Sequence, residues 1–411
     1  VNLMHLKIDN LFGMLDYDFP LDQNEITILT GPNGYGKTMI LKIINCILSN
    51  ELNILCKLKF DKISLTYTGG SIAISHGIAI GELVLEHRDS MGGEILTEYI
   101  KLEFERKKQD EFIVFYVESE KASHKQQRNT EKPLHSQYLS TIISDPIVTF
   151  IMADRLQVVK GDTSVIDLCA SKLRDLMERA QDESAELSQK FDATFPIRLF
   201  DRLDQQKRFS SSNIEMRLQG VQDKRRQYMH YGLIHSEYDL MPDKSTSLAN
   251  SNEYLGVLDL YIEDALGKLS PFQLLHQKID LFESIIKEKI LAFKSIFIDR
   301  ESGFHFKNLK GDMIDRNMLS SGEQNQIVLL FKLIFELVTE KVILIDEPEI
   351  SLHVAWQKTF LESLEKIQNI NCYEKVIIAT HSPQVISKNW NLTFDLYELL
   401  EKMQGQSGVK E

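Results

Sequence analysis

The stretch Leu29-Thr30-Gly31-Pro32-Asn33-Gly34-Tyr35-Gly36-Lys37-Thr38 constrains this chain more than any other. It reads G-x-x-x-x-G-K-T. An apolar, β-branched run (residues 25–29) precedes it and an apolar run suited to a helix (residues 39–44) follows. Buried strand, glycine turn and helix start together make a phosphate-binding loop. Gly31, Gly34 and Gly36 let the backbone curl until its N–H groups face an anion. Pro32, Asn33 and Tyr35 fill the turn between them. The helix N-terminus adds a partial positive charge. Lys37 is then set to reach the β- and γ-phosphates, and the Thr38 hydroxyl to ligate Mg²⁺. The ligands expected are ATP and Mg²⁺.

Three later stretches fit this start. Lys341-Val342-Ile343-Leu344-Ile345-Asp346-Glu347-Pro348 is an apolar strand ending in two carboxylates. A strand this apolar is buried on both faces, as in a parallel sheet, and such sheets bind ligands at the C-terminal ends of their strands. Asp346 is the expected Mg²⁺ partner and Glu347 the group that polarises the attacking water. Val376-Ile377-Ile378-Ala379-Thr380-His381 is a second such strand, which places His381 to sense the γ-phosphate. Leu319-Ser320-Ser321-Gly322-Glu323-Gln324 precedes an apolar helix over 327–338. Alone it reads as a helix cap, with Ser at the start and Glu323 in the first turn.

As a set, the four stretches resemble the ABC-type ATPases, in particular their SMC-like branch. In that family Leu-Ser-x-Gly-Glu/Gln is the signature. The resemblance implies that Ser320, Gly322 and Glu323, at their helix start, face the γ-phosphate of a nucleotide held by another subunit. Asp346-Glu347-Pro348-Glu349-Ile350-Ser351-Leu352-His353 also resembles the D-E-P-E-x-x-L-H run of the OLD-family and anti-phage defence group, which includes the Septu ATPase and the ATPase subunit of PARIS. The implied protein is an ATP-hydrolysing switch. It forms a homodimer or higher homo-oligomer and controls a separate effector chain, expected to be a nuclease, in response to a phage-derived trigger. Only thirty residues follow His381, too few for the Toprim nuclease domain of the OLD nucleases. An SMC/repair-like DNA clamp is the alternative, and the ATPase of a membrane transporter a more distant third.

The expected fold is α/β: an ABC-type P-loop ATPase head with an antiparallel accessory sheet and an inserted helical subdomain or short coiled-coil arm. Residues 1–160 form the first part of the head, 161–297 the insertion and 298–411 the second part. Residues 3–8, 14–19 and 26–30 read as strands. Residues 57–118 alternate apolar and polar positions, as antiparallel strands do. The segment 119–132 is polar and reads as a mobile loop. Residues 146–151 return as a buried strand, and Gln157 after it is either the loop glutamine that touches Mg²⁺ or a plain surface residue. Arg155 is a candidate polar contact near nucleotide or partner. The resemblance to the SMC-like branch implies that the opening hairpin borders the adenine, whereas Phe12 in its first turn, taken alone, reads as a packed core aromatic. Residues 162–297 are mainly helical, with breaks expected at Phe195-Pro196 and over 241–252. A hairpin at 295–306 leads to the signature, and a helix is expected over 353–367.

Composition narrows the partners. The chain has 47 basic and 60 acidic residues among 411, a net charge of −13. Such a chain is not globally attracted to nucleic acid. Arg198, Arg202, Lys207, Arg208, Arg217, Lys224, Arg225 and Arg226 make one interval locally basic. Acidic residues are mixed among them, so a solvated helix face is the first reading and nucleic-acid binding the second. Cys46, Cys56, Cys169 and Cys372 form no CxxC pair, so neither a zinc site nor a disulfide framework is expected. A reducing, cytoplasmic setting follows. The most apolar run, 327–345, carries Lys332, Glu336, Glu340 and Lys341, so no membrane span is expected.

Overall fold

The structure is a computed structural model. It describes residues 2–79, 81–90, 95–105, 114–117, 134–143, 147–156, 163–204, 210–234, 252–289, 291, 293–337, 342–350 and 352–407. Gln157 and the segments 119–132 and 241–251 lie outside the described residues. The chain forms two compact units: residues 1–155 with 337–411, and residues 156–336.

In the first unit, two hydrophobic patterns make two sheets. Strands β1 (Leu3–Leu11) and β2 (Leu15–Pro20) bury only some of their positions, whereas β3 (Ile26–Thr30) is buried almost throughout. The alternating pattern continues in β4 (Lys62–Tyr67), β5 (Gly70–His76) and β6 (Glu82–Asp89), followed by β7 (Leu96–Glu105) and β8 (Val114–Val117). These seven strands pair antiparallel in the order β2-β1-β4-β5-β6-β7-β8. The continuous pattern gives a parallel sheet built on β3. Its other strands are β9 (Val148–Ile151), β13 (Val342–Asp346), β14 (Lys375–Ala379) and β15 (Thr393–Asp395). The order is β15-β3-β14-β13-β9.

The P-loop helix, Lys37–Ser49, buries Ile40, Leu41, Ile43, Ile44, Ile47 and Leu48. Its core cluster includes Leu6, Ile8, Phe19, Ile63 and Leu65 from the antiparallel sheet and Leu29, Leu344 and Ile377 from the parallel one. Each fully buried aliphatic side chain contributes about 1.5–3 kcal/mol, so the helix carrying Lys37 and Thr38 is anchored to both sheets. The register sets the strand ends level: Leu29 lies beside Ala379 and Ala379 beside Asp346. The P-loop, the His381 loop and the two carboxylates therefore leave one edge of the sheet together. The helix expected over 353–367 is instead two pieces, Val354–Gln357 and Phe360–Asn371.

The second unit is built on three arm helices, Val165–Asp204, Ser211–His230 and Asn252–Lys289. The expected break at Phe195-Pro196 does not occur: the first arm helix runs through Pro196. Side chains take up carbonyls in the turn that the proline disturbs. Arg198 Nη2 donates to the Phe191 carbonyl at 2.8 Å, and Thr194 Oγ1 donates to that of Lys190 at 2.9 Å. The third arm helix contains Pro271, and Ser270 Oγ donates at 2.7 Å to the Gly267 carbonyl that Pro271 has no N–H to meet. A Cβ at Gly267 would lie 2.5 Å from the Phe191 ring, so the first and third helices approach closely there.

The same unit holds β10 (Lys294–Asp299), β11 (Gly303–Asn308) and β12 (Met313–Ile314), an antiparallel sheet, and the signature helix Ser321–Phe331 with a π-helical turn over Lys332–Glu336. Residues 298–336 thus cluster with the helical insertion, not with the P-loop unit. The physical reason is an aromatic core: Phe282 of the third arm helix packs edge-on against Phe304 of β11 at 5.8 Å, and against Phe331 and Phe335. Arg316 and Asn317, just before the signature, both donate to Asp167 of the first arm helix at 2.9 Å.

Candidate active site

Gly36 caps the P-loop helix with φ +76°, a left-handed conformation that glycine adopts without strain, and no side chain caps this helix end. Its first N–H groups are therefore left for an anion. Gly31 and Gly34 also have positive φ. Pro32, Asn33 and Gly34 are exposed, whereas Lys37 is buried. Lys37 Nζ donates to the carbonyls of Gly31 (2.7 Å) and Pro32 (2.9 Å), folding the ammonium into its own loop. Burial pushes its pKa down, against the fields of Glu347, Asp346, Glu349 and Asp395. Tyr35 is held by its carbonyl, which accepts from the Tyr17 hydroxyl at 2.6 Å, and by ring contact with Tyr397 at 5.9 Å. Phe12 is not the core residue expected. It is 36% exposed, and its ring edge would lie 3.4 Å from a Cβ at Gly36, so it borders the P-loop.

Thr38 Oγ1 donates to Asp346 Oδ1 at 3.0 Å across the sheet edge. Burial pushes the Asp346 carboxyl up, the Thr38 hydrogen bond pulls it down, and the neighbouring Glu347 charge raises it again. The Thr38 hydroxyl and the Asp346 carboxylate are two hard oxygen ligands side by side. That donor set fits Mg²⁺, a hard cation that takes oxygen ligands, and Thr38 and Asp346 would hold it.

Glu347 stands at φ +44°, a left-handed conformation that costs a non-glycine residue roughly 1–2 kcal/mol. Its backbone is held on both sides: its N–H donates to the Ala379 carbonyl at 2.8 Å, and its carbonyl accepts from Arg155 Nη2 at 2.9 Å. The Glu347 carboxylate lies 3.6 Å from His381 Nε2, with both side chains about one-third exposed, at 30% and 32%. That gap is too long for a direct hydrogen bond and close enough for both groups to reach one water. Lys37, Thr38, Asp346, Glu347 and His381 thus lie together at the strand ends. Sequence reasoning named Glu349 only within a motif, yet its Oε1 accepts from the N–H groups of His381 (2.6 Å) and Ser382 (3.1 Å).

The signature lies in the other unit. Ser320 caps its helix in a reciprocal capping box, accepting from the Glu323 N–H while Glu323 Oε2 accepts from the Ser320 N–H at 2.8 Å. Lys294 Nζ donates to both Glu323 oxygens at 2.7 and 2.8 Å. Burial alone would raise the Glu323 carboxyl, but the bonds from Lys294 and Ser320 hold it below the usual range. Ser320 is exposed and Gly322 half-buried, so the helix start is displayed rather than packed away.

A P-loop on a parallel sheet, a second strand's carboxylates against its threonine, and an acid and an imidazole poised together define a P-loop ATPase. The chain belongs to the AAA ATPase domain family, whose profile matches residues 2–386, and it binds and hydrolyses ATP. No curated protein matches the chain. Among solved structures it is similar to the Smc head domain with an extended coiled coil bound to the C-terminal domain of ScpA, from Pyrococcus furiosus. The identity is 12% over 100% of both chains, with a TM-score of 0.41. It is similar to an SmcHead bound to the C-winged helix domain of ScpA, at 9% identity over 94% of this chain and 91% of that one, TM-score 0.42. The SMC head domain from Thermotoga maritima is similar at 11% identity over 94% and 91%, TM-score 0.32. At scores this low, the chain's own strand order and site define its class.

Proposed function

We propose that this ATPase is a switch subunit of a prokaryotic anti-phage defence complex. It self-associates around ATP and Mg²⁺ and holds or releases a separate effector chain, a nuclease, when a phage-derived trigger is met. Lys37 and the P-loop amides bind the phosphates. Thr38 and Asp346 hold Mg²⁺, which when bound would offset phosphate charge. Glu347 polarises the attacking water, and His381 senses the γ-phosphate beside it. Catalysis is by positioning and electrostatics, as in other phosphoryl transfers. Ser320, Gly322 and Glu323 of a second copy complete the site.

The observation that carries self-association is the exposed Ser320 helix start, whose side-chain cap leaves further N–H groups for an anion. The defence role is supported by the resemblance of residues 346–353 to the D-E-P-E-x-x-L-H run. Three of the eight basic residues behind the DNA-clamp alternative pair with carboxylates of another arm helix. Arg198 is paired with Asp264, Arg202 with Asp259 and Glu263, and Arg217 with Asp259. Asp259 and Asp264 are buried, so these arginines serve the arm's own packing. Among the described residues, no helix is long and apolar enough to cross a membrane.

The test is the native mass of the Glu347→Gln complex, purified with ATP from its own host. A self-associated ATPase carrying a second polypeptide is expected. Self-assembly without a partner would favour the DNA-clamp alternative, and a monomer that ATP leaves unchanged would contradict both.

A further inference from the structure

Two buried groups flank the Glu347 and His381 pair and act on the backbone that carries it. Arg155 follows β9 and is 3% exposed. Its Nη2 donates to the carbonyls of Asp346 (3.2 Å) and Glu347 (2.9 Å), while Nε and Nη1 meet no partner among the described residues. Burial pushes this guanidinium down to about 10, against the fields of Glu349, Asp346 and Glu347. Glu349 ties the same turn to the loop after β14 through its Oε1, which accepts from two N–H groups, and its Oε2 is buried with no partner among the described residues.

The arrangement has a mechanical consequence. Glu347 sits in a backbone conformation it would leave if released. Arg155 holds the carbonyl of that residue, so losing it lets the carboxylate swing away from His381. Glu349 fixes the His381 N–H, so losing it frees the imidazole side of the pair. Among the described residues, the hydrogen bonds of these two side chains go to the Asp346 and Glu347 turn and the His381 loop, and none goes to the P-loop.

We propose that Arg155 and Glu349 are positioning residues for hydrolysis: one anchors the turn that bears Glu347, the other locks that turn to the loop that bears His381. The inference rests on Glu347 and His381 being the hydrolytic pair. Side-chain bonds to main-chain groups then set their separation before nucleotide arrives, which is the kind of preorganisation that orientation-dependent catalysis requires.

The test is steady-state ATP hydrolysis by the full chain for Arg155→Ala, Arg155→Lys, Glu349→Ala and Glu349→Gln, with Glu347→Gln beside them. Both alanine variants are expected to lose kcat by roughly 10- to 100-fold with KM for ATP within about threefold of the parent, as for misplaced groups that do not bind substrate. Glu349→Gln keeps an oxygen acceptor for both N–H groups and is expected to stay within about threefold of the parent kcat. Arg155→Lys is expected to retain more activity than Arg155→Ala. These two conservative variants keep the test open if an alanine variant fails to fold. Parent-like kcat in a folded alanine variant, or a loss confined to KM, would overturn the inference. An active Glu347→Gln would instead overturn the assignment of the hydrolytic pair.

Discussion

Glu347→Gln is expected to lower ATP turnover by roughly 100-fold or more, the contribution typical of a positioned general base. Nucleotide affinity is expected to stay close to the parent's, because the P-loop is untouched. The contrast is sharp here because the bonds that fix residue 347 use its main chain: its N–H goes to Ala379 and its carbonyl receives Arg155. An amide of the same shape leaves those bonds in place and removes only the negative charge beside His381. The expected kinetic signature is a fall in kcat with little change in KM. A hydrolysis rate close to the parent's would remove Glu347 from its role.

Lys37→Ala should act on the other half of the reaction. A charged donor to a phosphate is worth about 1.5–3 kcal/mol, which corresponds to ATP binding weaker by roughly 10- to 150-fold. There is a second cost in the free protein. Lys37 is buried, donates to the Gly31 and Pro32 carbonyls, and lies in the fields of Glu347, Asp346, Glu349 and Asp395. Its removal leaves the Gly31 and Pro32 carbonyls without that donor, so a lower Tm without nucleotide should accompany the affinity loss. Equilibrium titration with a non-hydrolysable ATP analogue and a thermal melt measure the two effects. Affinity equal to the parent's would undo the P-loop assignment.

Much of the site was legible because it is written in contiguous stretches. The P-loop, the apolar strand ending at Asp346 and the apolar strand before His381 each announce a parallel strand by burying both faces, and the register brings their ends level. What was not legible depends on partners distant in sequence. Pro196 carries a local instruction to break the helix, but Arg198 and Thr194 take up nearby carbonyls and Arg198 pairs with Asp264, 66 residues away. Arg198 and Arg202 read as part of a solvated, locally basic helix face because the buried aspartates that pair with them lie on another helix. Arg155 carried only a weak signal, an arginine just past a buried strand. Nothing nearby in the chain says that its donors reach carbonyls 191 and 192 residues on. Residues 298–336 follow the aromatic contacts of Phe282 and Phe304 rather than the order of the motifs.

The central claim is a nucleotide site completed by a second copy, with Lys37 on one face and Ser320 on the other. The most direct measurement is ATP turnover in a mixture of two inactive variants, Lys37→Ala and Ser320→Arg. Each keeps the half-site that the other lacks. If the copies pair head to tail, a mixed pair holds one intact composite site, and equal mixing should restore about a quarter of the parent's sites. If the mixture stays as inactive as its components, while unaltered chain in the same assay turns over ATP, the signature does not act across a pair and the account is contradicted.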